Sequence, residues 1–81
     1  MMSHGYTLRI RDLNAKADQR KLGVRLGRVC ISHDVPVMVV AQRMGVTRAT
    51  VYNWFCGTSV PQANTVSLIE SYIASLEGTA A

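Results

Sequence analysis

The stretch from Val37 to Cys56, VMVVAQRMGVTRATVYNWFC, constrains the fold more than any other part of the chain. Val37, Val40, Ala41 and Met44 recur at i, i+3, i+4 and i+7, so one side of a helix barely two turns long is apolar. Gly45 ends that helix, because glycine takes the left-handed conformation without a β-carbon clash. Thr47 starts the next, with a hydroxyl placed to cap the N–H of residue 49 or 50. Val51, Trp54 and Phe55 supply its inward stripe, and Gly57-Thr58-Ser59 closes it. Two such helices cross steeply only if a small residue sits where they touch, the turn tolerates reversal and apolar residues close the corner. Ala41 meets the first demand, Gly45 the second, and Met44, Val46, Val51 and Trp54 the third.

The flanks are also helical. A first helix is expected over about residues 16–32, with Leu22, Leu26, Val29 and Cys30 on one face and Lys21, Arg25 and Arg28 on the other. Gly23 and Gly27 weaken it by roughly 1 kcal/mol each relative to Ala where exposed. Their i, i+4 spacing leaves room for another backbone, and the sequence does not decide whether one enters. Asp34-Val35-Pro36 breaks the pattern, and Pro36 suits the opening turn of the helix that follows. Pro61 introduces a last helix over about 62–76, with Val66, Ile69, Ile73 and Leu76 inward, helped by Leu68 and Tyr72, and with Gly78 as its stop. Residues 1–5 read as a loose leader. Tyr6, Leu8 and Ile10 alternate with Thr7, Arg9 and Arg11, a period of two that suggests a short strand or extended arm, with Asp12 and Asn14 as turn and capping residues. The expected fold is all-α: four helices in a domain over 15–78, behind an extended segment over 1–14. Eighty-one residues make one domain with a small core, marginally stable unless it oligomerises.

Charge narrows the partners. Nine Lys and Arg against five Asp and Glu give a net +4, which favours an anionic partner. Arg9, Arg11, Lys16, Arg20, Lys21, Arg25 and Arg28 fall in the first 28 residues, whereas residues 52–81 contain no Lys or Arg. Cys30, Cys56, His4 and His33 have no zinc-site spacing, so reduced thiols and no metal are expected. There is no signal-peptide pattern, and the longest apolar run, Val37 to Ala41, is far too short to span a bilayer, which together point to a cytoplasmic protein. No Ser/His/Asp set, Gly-rich phosphate loop or carboxylate pair supports an enzyme, and no cofactor or small-molecule substrate is implied.

A helical wheel places residues 47, 51, 54 and 55 toward the core and Ala49, Tyr52, Asn53 and Cys56 outward, with Arg48 on the flank of the first turn. Those outward residue types suit a DNA groove. Arginine matches the O6 and N7 acceptors of guanine, asparagine matches adenine N6 and N7, and a small alanine meets a thymine methyl. Tyr52 is in reach of phosphate or base, and Arg43, at the end of the preceding helix, of phosphate. Trp54 is a core residue, because an inward indole has no face free to stack on a base.

The stretch resembles the helix-turn-helix of the Xre/Cro-like family of bacterial and phage repressors, through Ala41, Gly45, Val46, Thr47, Val51 and Trp54. Cys56-Gly57-Thr58-Ser59-Val60-Pro61 resembles that family's loop into its fourth helix, and Thr65, Val66 and Ile69 continue the likeness, which spans about residues 22–76. The resemblance implies a lambda-repressor-like domain in which Arg48, Ala49 and Asn53 face bases, with Tyr52 beside them as a further candidate contact. Arg43, Thr47, Gly57, Thr58 and Ser59 would then lie along the phosphate backbone. The chain departs from the family at Val37, where a Gln is frequent, and at Thr58, where a Lys is frequent. The basic residues before position 29, Arg25 and Arg28 among them, are the expected substitutes for that phosphate grip. The family commonly has a fifth, dimer-forming helix, and with only Gly78-Thr79-Ala80-Ala81 after the last helix another element is expected to take that role. Residues 6–10 are expected to pair with a second subunit, to enter the minor groove as an arm, or to pack on the chain's own core. The implied function is a sequence-specific transcriptional regulator, a repressor binding double-stranded DNA as a homodimer on a two-fold operator. The alternative is an antitoxin or phage-assembly module that keeps the fold without reading sequence.

Overall fold

The computed structural model describes residues 6–78. The chain is all-α: α1 (Leu8–Lys16), α2 (Leu22–Ser32), α3 (Val37–Met44), α4 (Arg48–Cys56) and α5 (Ala63–Gly78), with no strand among the described residues. None of these helices is long and apolar enough to cross a membrane. The leader over 1–5 and whatever stops α5 beyond Gly78 lie outside the described residues.

The N-terminal expectation is corrected. Residues 8–16 form a helix, not a strand or extended arm, so the helices number five. Thr7 caps α1, its hydroxyl accepting from the Ile10 N–H at 3.2 Å. The alternation of Tyr6, Leu8 and Ile10 has no sheet to serve: Tyr6 is buried ahead of the helix, Ile10 is half-buried and Leu8 is 81% exposed. Tyr6 inserts into the chain's own core, its ring centroid 6.0 Å from that of Phe55 and its hydroxyl donating to the Val35 carbonyl. The single helix expected over 16–32 is also divided. Ala17 is extended, and Asp18 accepts from both the backbone N–H and the guanidinium of Arg20, which fixes a turn before α2 begins. Asp12 and Asn14 are not turn residues. Asp12 pairs with Lys16 one turn on, at 3.0 Å, and Asn14 is buried.

α2 is the central element, and its two glycines explain how it reaches α4. A β-carbon on Gly23 would stand 2.8 Å from Trp54 Cβ and 2.9 Å from the Trp54 carbonyl oxygen. One on Gly27 would stand 2.6 Å from Asn14 Nδ2 and 2.9 Å from Phe55 Cβ. Asn14 closes the junction from α1, its amide donating to the Val24 carbonyl at 3.1 Å and the Phe55 carbonyl at 2.8 Å. Phe55 is in the last turn of α4, where carbonyls have no partner within the helix, so α1 caps α4 through the core. Around this junction Leu26, Cys30, Val40, Val51, Phe55 and Ile69 are fully buried.

The inward stripe of α3 is as expected: Val37, Val40, Ala41 and Met44 are all buried. On α5 the stripe is Ile69, Tyr72 and Ile73, with Val66 and Leu76 half-buried. Leu68 is a correction, since it is 51% exposed. It lies roughly 100° round the helix from Ile69, off the stripe.

Two outcomes are expected. Gly27→Ala, with no room for its methyl, destabilises the domain by about 1–3 kcal/mol, read as a lower urea midpoint. A midpoint equal to that of the wild type would mean that α2 and α4 separate freely. The second outcome concerns pH. Burial pushes the Cys30 thiol from its ordinary 9.0 up to about 12 and raises the Tyr6 phenol above its ordinary 10.0. Both groups fold neutral, so their contribution is complete below about pH 9 and is lost progressively as pH rises toward 12. Urea midpoints measured upward from pH 8 should fall over that window, and a flat profile would contradict the burial of both groups.

Candidate nucleic-acid interface

The turn between α3 and α4 is built locally. Gly45 is left-handed (φ 70°, ψ 34°), and its N–H and that of Val46 both return to the Ala41 carbonyl, the latter at 3.0 Å. Thr47 is extended and caps α4, accepting from the Thr50 N–H at 3.2 Å, which selects residue 50 from the two expected. Thr47 is exposed, not turned to the core as the wheel suggested, because a cap residue stands outside the helical spiral that the wheel assumes. At the far end Gly57 is again left-handed (φ 78°, ψ 13°). The Thr58 N–H and hydroxyl both reach the Asn53 carbonyl, at 2.9 and 3.2 Å.

This rooting divides α4 into two sides. Val51, Trp54 and Phe55 are buried, so Trp54 is a core residue. Arg48, Ala49 and Asn53 are exposed, and Tyr52 and Cys56 are half-buried on the same outer side, Tyr52 resting against the core. Neither the Arg48 guanidinium nor the Asn53 amide is engaged by another described residue. Two donor-bearing side chains are therefore held on the outer side of this helix with no described residue to satisfy them.

The loop after α4 gains a cation from the N-terminal basic run, at a position that the sequence does not single out. Lys21, at the start of α2, donates from Nζ to the Gly57 carbonyl at 2.9 Å. It sets an ammonium beside Gly57, Thr58 and Ser59, in the stretch 52–81 that has no Lys or Arg of its own. The signal available was its place in the N-terminal basic run. Which member of that run meets the loop follows from the α2–α4 packing.

Other expected phosphate contacts are dispersed. Arg43 lies over the Tyr72 ring, 5.1 Å from its centroid, on the α3–α5 side. Arg25 and Arg28 are not brought to the outer side of α4. At 100° per residue, Arg25 lies roughly 160° round α2 from both Gly23 and Gly27, the residues that face α4, and Arg28 is roughly 100–140° away from them. Arg28 is instead held by Gln19, its Nε donating to Oε1 at 2.7 Å. The only ion pairs between described residues are Lys16–Asp12 and Arg20–Asp18. Arg20 holds the exposed Asp18 carboxyl down to about 2.

Among the described residues no group of three or more His, Cys, Asp or Glu side chains could hold a metal ion. Cys30 is a buried free thiol and Cys56 a half-buried one. His33 is the C-cap residue of α2. No family model, curated protein or solved structure matches this chain.

Removing the cap should loosen the start of α4. Thr47→Ala is expected to cost roughly 0.5–2 kcal/mol in a urea titration, with Thr50→Ala costing less because it leaves the capping oxygen in place. Equal losses from the two would remove the capping role from Thr47.

Proposed function

We propose that this protein is a sequence-specific double-stranded DNA-binding regulator of the Xre/Cro type, a repressor in which α3, the Gly45 turn and α4 act as a helix-turn-helix and α4 enters the major groove. One observation carries this reading. α4 is fixed from behind by Val51, Trp54 and Phe55, while its outer side presents Arg48, Ala49 and Asn53 without partners among the described residues. Arg48 then reads guanine, Asn53 reads adenine and Ala49 meets a thymine methyl. Tyr52 stands beside them. Thr47 lies with the free N–H groups of α4's first turn, where an anionic phosphate is favoured. Lys21 supplies charge at the Gly57-Thr58-Ser59 loop, in place of the Lys frequent at the position of Thr58 in the family it resembles.

One short helix spans only a few base pairs, too few for useful selectivity, so the protein acts as a homodimer on two half-sites about 34 Å apart. Residues 6–10 do not supply the dimer by strand pairing, because they are not a strand. The reading involves no catalytic step, cofactor or metal.

Selection from a pool of random-sequence duplexes tests it. A two-fold motif with one-turn spacing is expected. Arg48→Ala should lose roughly 1–3 kcal/mol on that site and relax preference at one position per half-site. If no motif is enriched, or Arg48→Ala binds the enriched site as tightly as the wild type, α4 does not read DNA. The module would then belong to protein assembly.

A further inference from the structure

The arginines that α2 turns away from α4 have a surface of their own. Arg25, Arg28 and Ser32 are all exposed and fall within roughly 60° of one another around α2. Beside this stripe a shallow cleft of about 300 Å³ runs between α1 and α2, lined by Arg11, Asn14, Ala15, Arg28, Ile31 and Ser32. It contains two guanidinium groups and no carboxylate. Of the nearest acids in sequence, Asp12 is paired with Lys16 and Asp18 with Arg20, and Asp34 lies beyond the C-cap of α2. Asn14 spends its amide on the Val24 and Phe55 carbonyls, and Ser32 donates to the Val29 carbonyl, so neither neutralises the arginines. Gln19 holds Arg28 at Nε and leaves its terminal nitrogens to the outside.

We infer that Arg11, Arg25 and Arg28 form a second, sequence-independent phosphate-binding face, which holds a separate segment of duplex DNA while α4 holds the first. This rests on the proposed role of α4. Arg25 and Arg28 point away from the side of α2 that meets α4, so at least one helix diameter, roughly 10 Å, separates them from the outer side of α4. A duplex seated on the outer side of α4 therefore leaves the α2 arginines free. Arginine forks suit phosphate oxygens bidentately. An acidic protein is the weaker fit, because the apolar residues lining the cleft are only Ala15 and the half-buried Ile31, and the one large exposed apolar side chain on this side of α1 is Leu8, at its N-terminal end. Once α4 is bound, neighbouring duplex is present at high effective concentration, so a weak second contact suffices to bridge.

The test uses the full chain, with a random-sequence duplex of about 30 base pairs on beads and a second, fluorescent random-sequence duplex in solution, at about 0.15 M salt. There the screening length of about 8 Å is shorter than the separation of the faces, so charge removed from α2 is largely screened at α4. Wild-type protein should retain the fluorescent duplex on the beads. Arg25→Gln with Arg28→Gln should cut retention about tenfold while single-duplex affinity changes less than about threefold. Arg11→Gln alone should give a smaller loss in the same direction.

Four results would overturn the inference. The wild type may retain no second duplex. The double variant may retain as much as the wild type, which assigns bridging to the two α4 helices of a dimer. Retention and single-duplex affinity may fall in proportion, which assigns both to one surface. A polyglutamate chain may bind the face while the second duplex does not, which assigns it to an acidic protein. Failure of the α4 reading is separate, since it shows as the absence of any enriched motif in the selection.

Discussion

At Gly27 the backbone of α2 comes so close to α4 that an added β-carbon would meet the Phe55 ring at 2.7 Å and the Asn14 amide at 2.6 Å. Gly23 sets the same limit one turn earlier against Trp54. This contact fixes the distance between the two helices, and most of the molecule follows from it. With the helices this close, Asn14 spans from α1 to a carbonyl on each of them. Lys21 then reaches the end of α4. The aromatic side chains of α4 fill the volume that side chains on α2 leave vacant. In a chain whose core is this small, a helix intercept near the lower limit replaces apolar bulk that the sequence does not supply.

The consequence for α4 is a clean division of labour. Its inner side and both of its ends are engaged: Thr47 at the start, and Asn14 and Lys21 at the finish. A nine-residue helix held in this way has little freedom to tilt, so its outer residues are presented at fixed positions. That preorganisation suits direct readout, where a bidentate contact depends on placement within fractions of an ångström. The same packing turns the basic side of α2 away from α4. One contact thus separates the residues suited to reading from those suited only to charge attraction.

How much of this was legible depended on the kind of signal. Apolar periodicity located α3, α4 and α5 closely, because a 3.6-residue pattern is directly a buried face. Gly45 and Thr47 marked the turn, because left-handed glycines and hydroxyl caps are local chemistry. α1 was misread. Its inward residue is the polar Asn14, and the alternation at Tyr6, Leu8 and Ile10 mimicked a strand. The split at Ala17 was equally hidden, since the Asp18–Arg20 turn has no glycine or proline to announce it. Which member of the N-terminal basic run meets the loop after α4 is not legible in the sequence, because a basic run gives charge without direction.

The sequence by itself determined an all-α chain, the position of the glycine turn between two short helices, the inward stripe of α4 and the uneven distribution of charge. Each is set within a few residues by backbone conformation, capping or burial period. Only the tertiary structure decided that residues 8–16 join the helices, that Gly23 and Gly27 are contact points instead of weaknesses, and which cations share a surface with α4. Those outcomes depend on which elements meet across the core. Asn14 and Phe55 are 41 positions apart, and Lys21 and Gly57 are 36. No pattern confined to a single helix encodes such pairings.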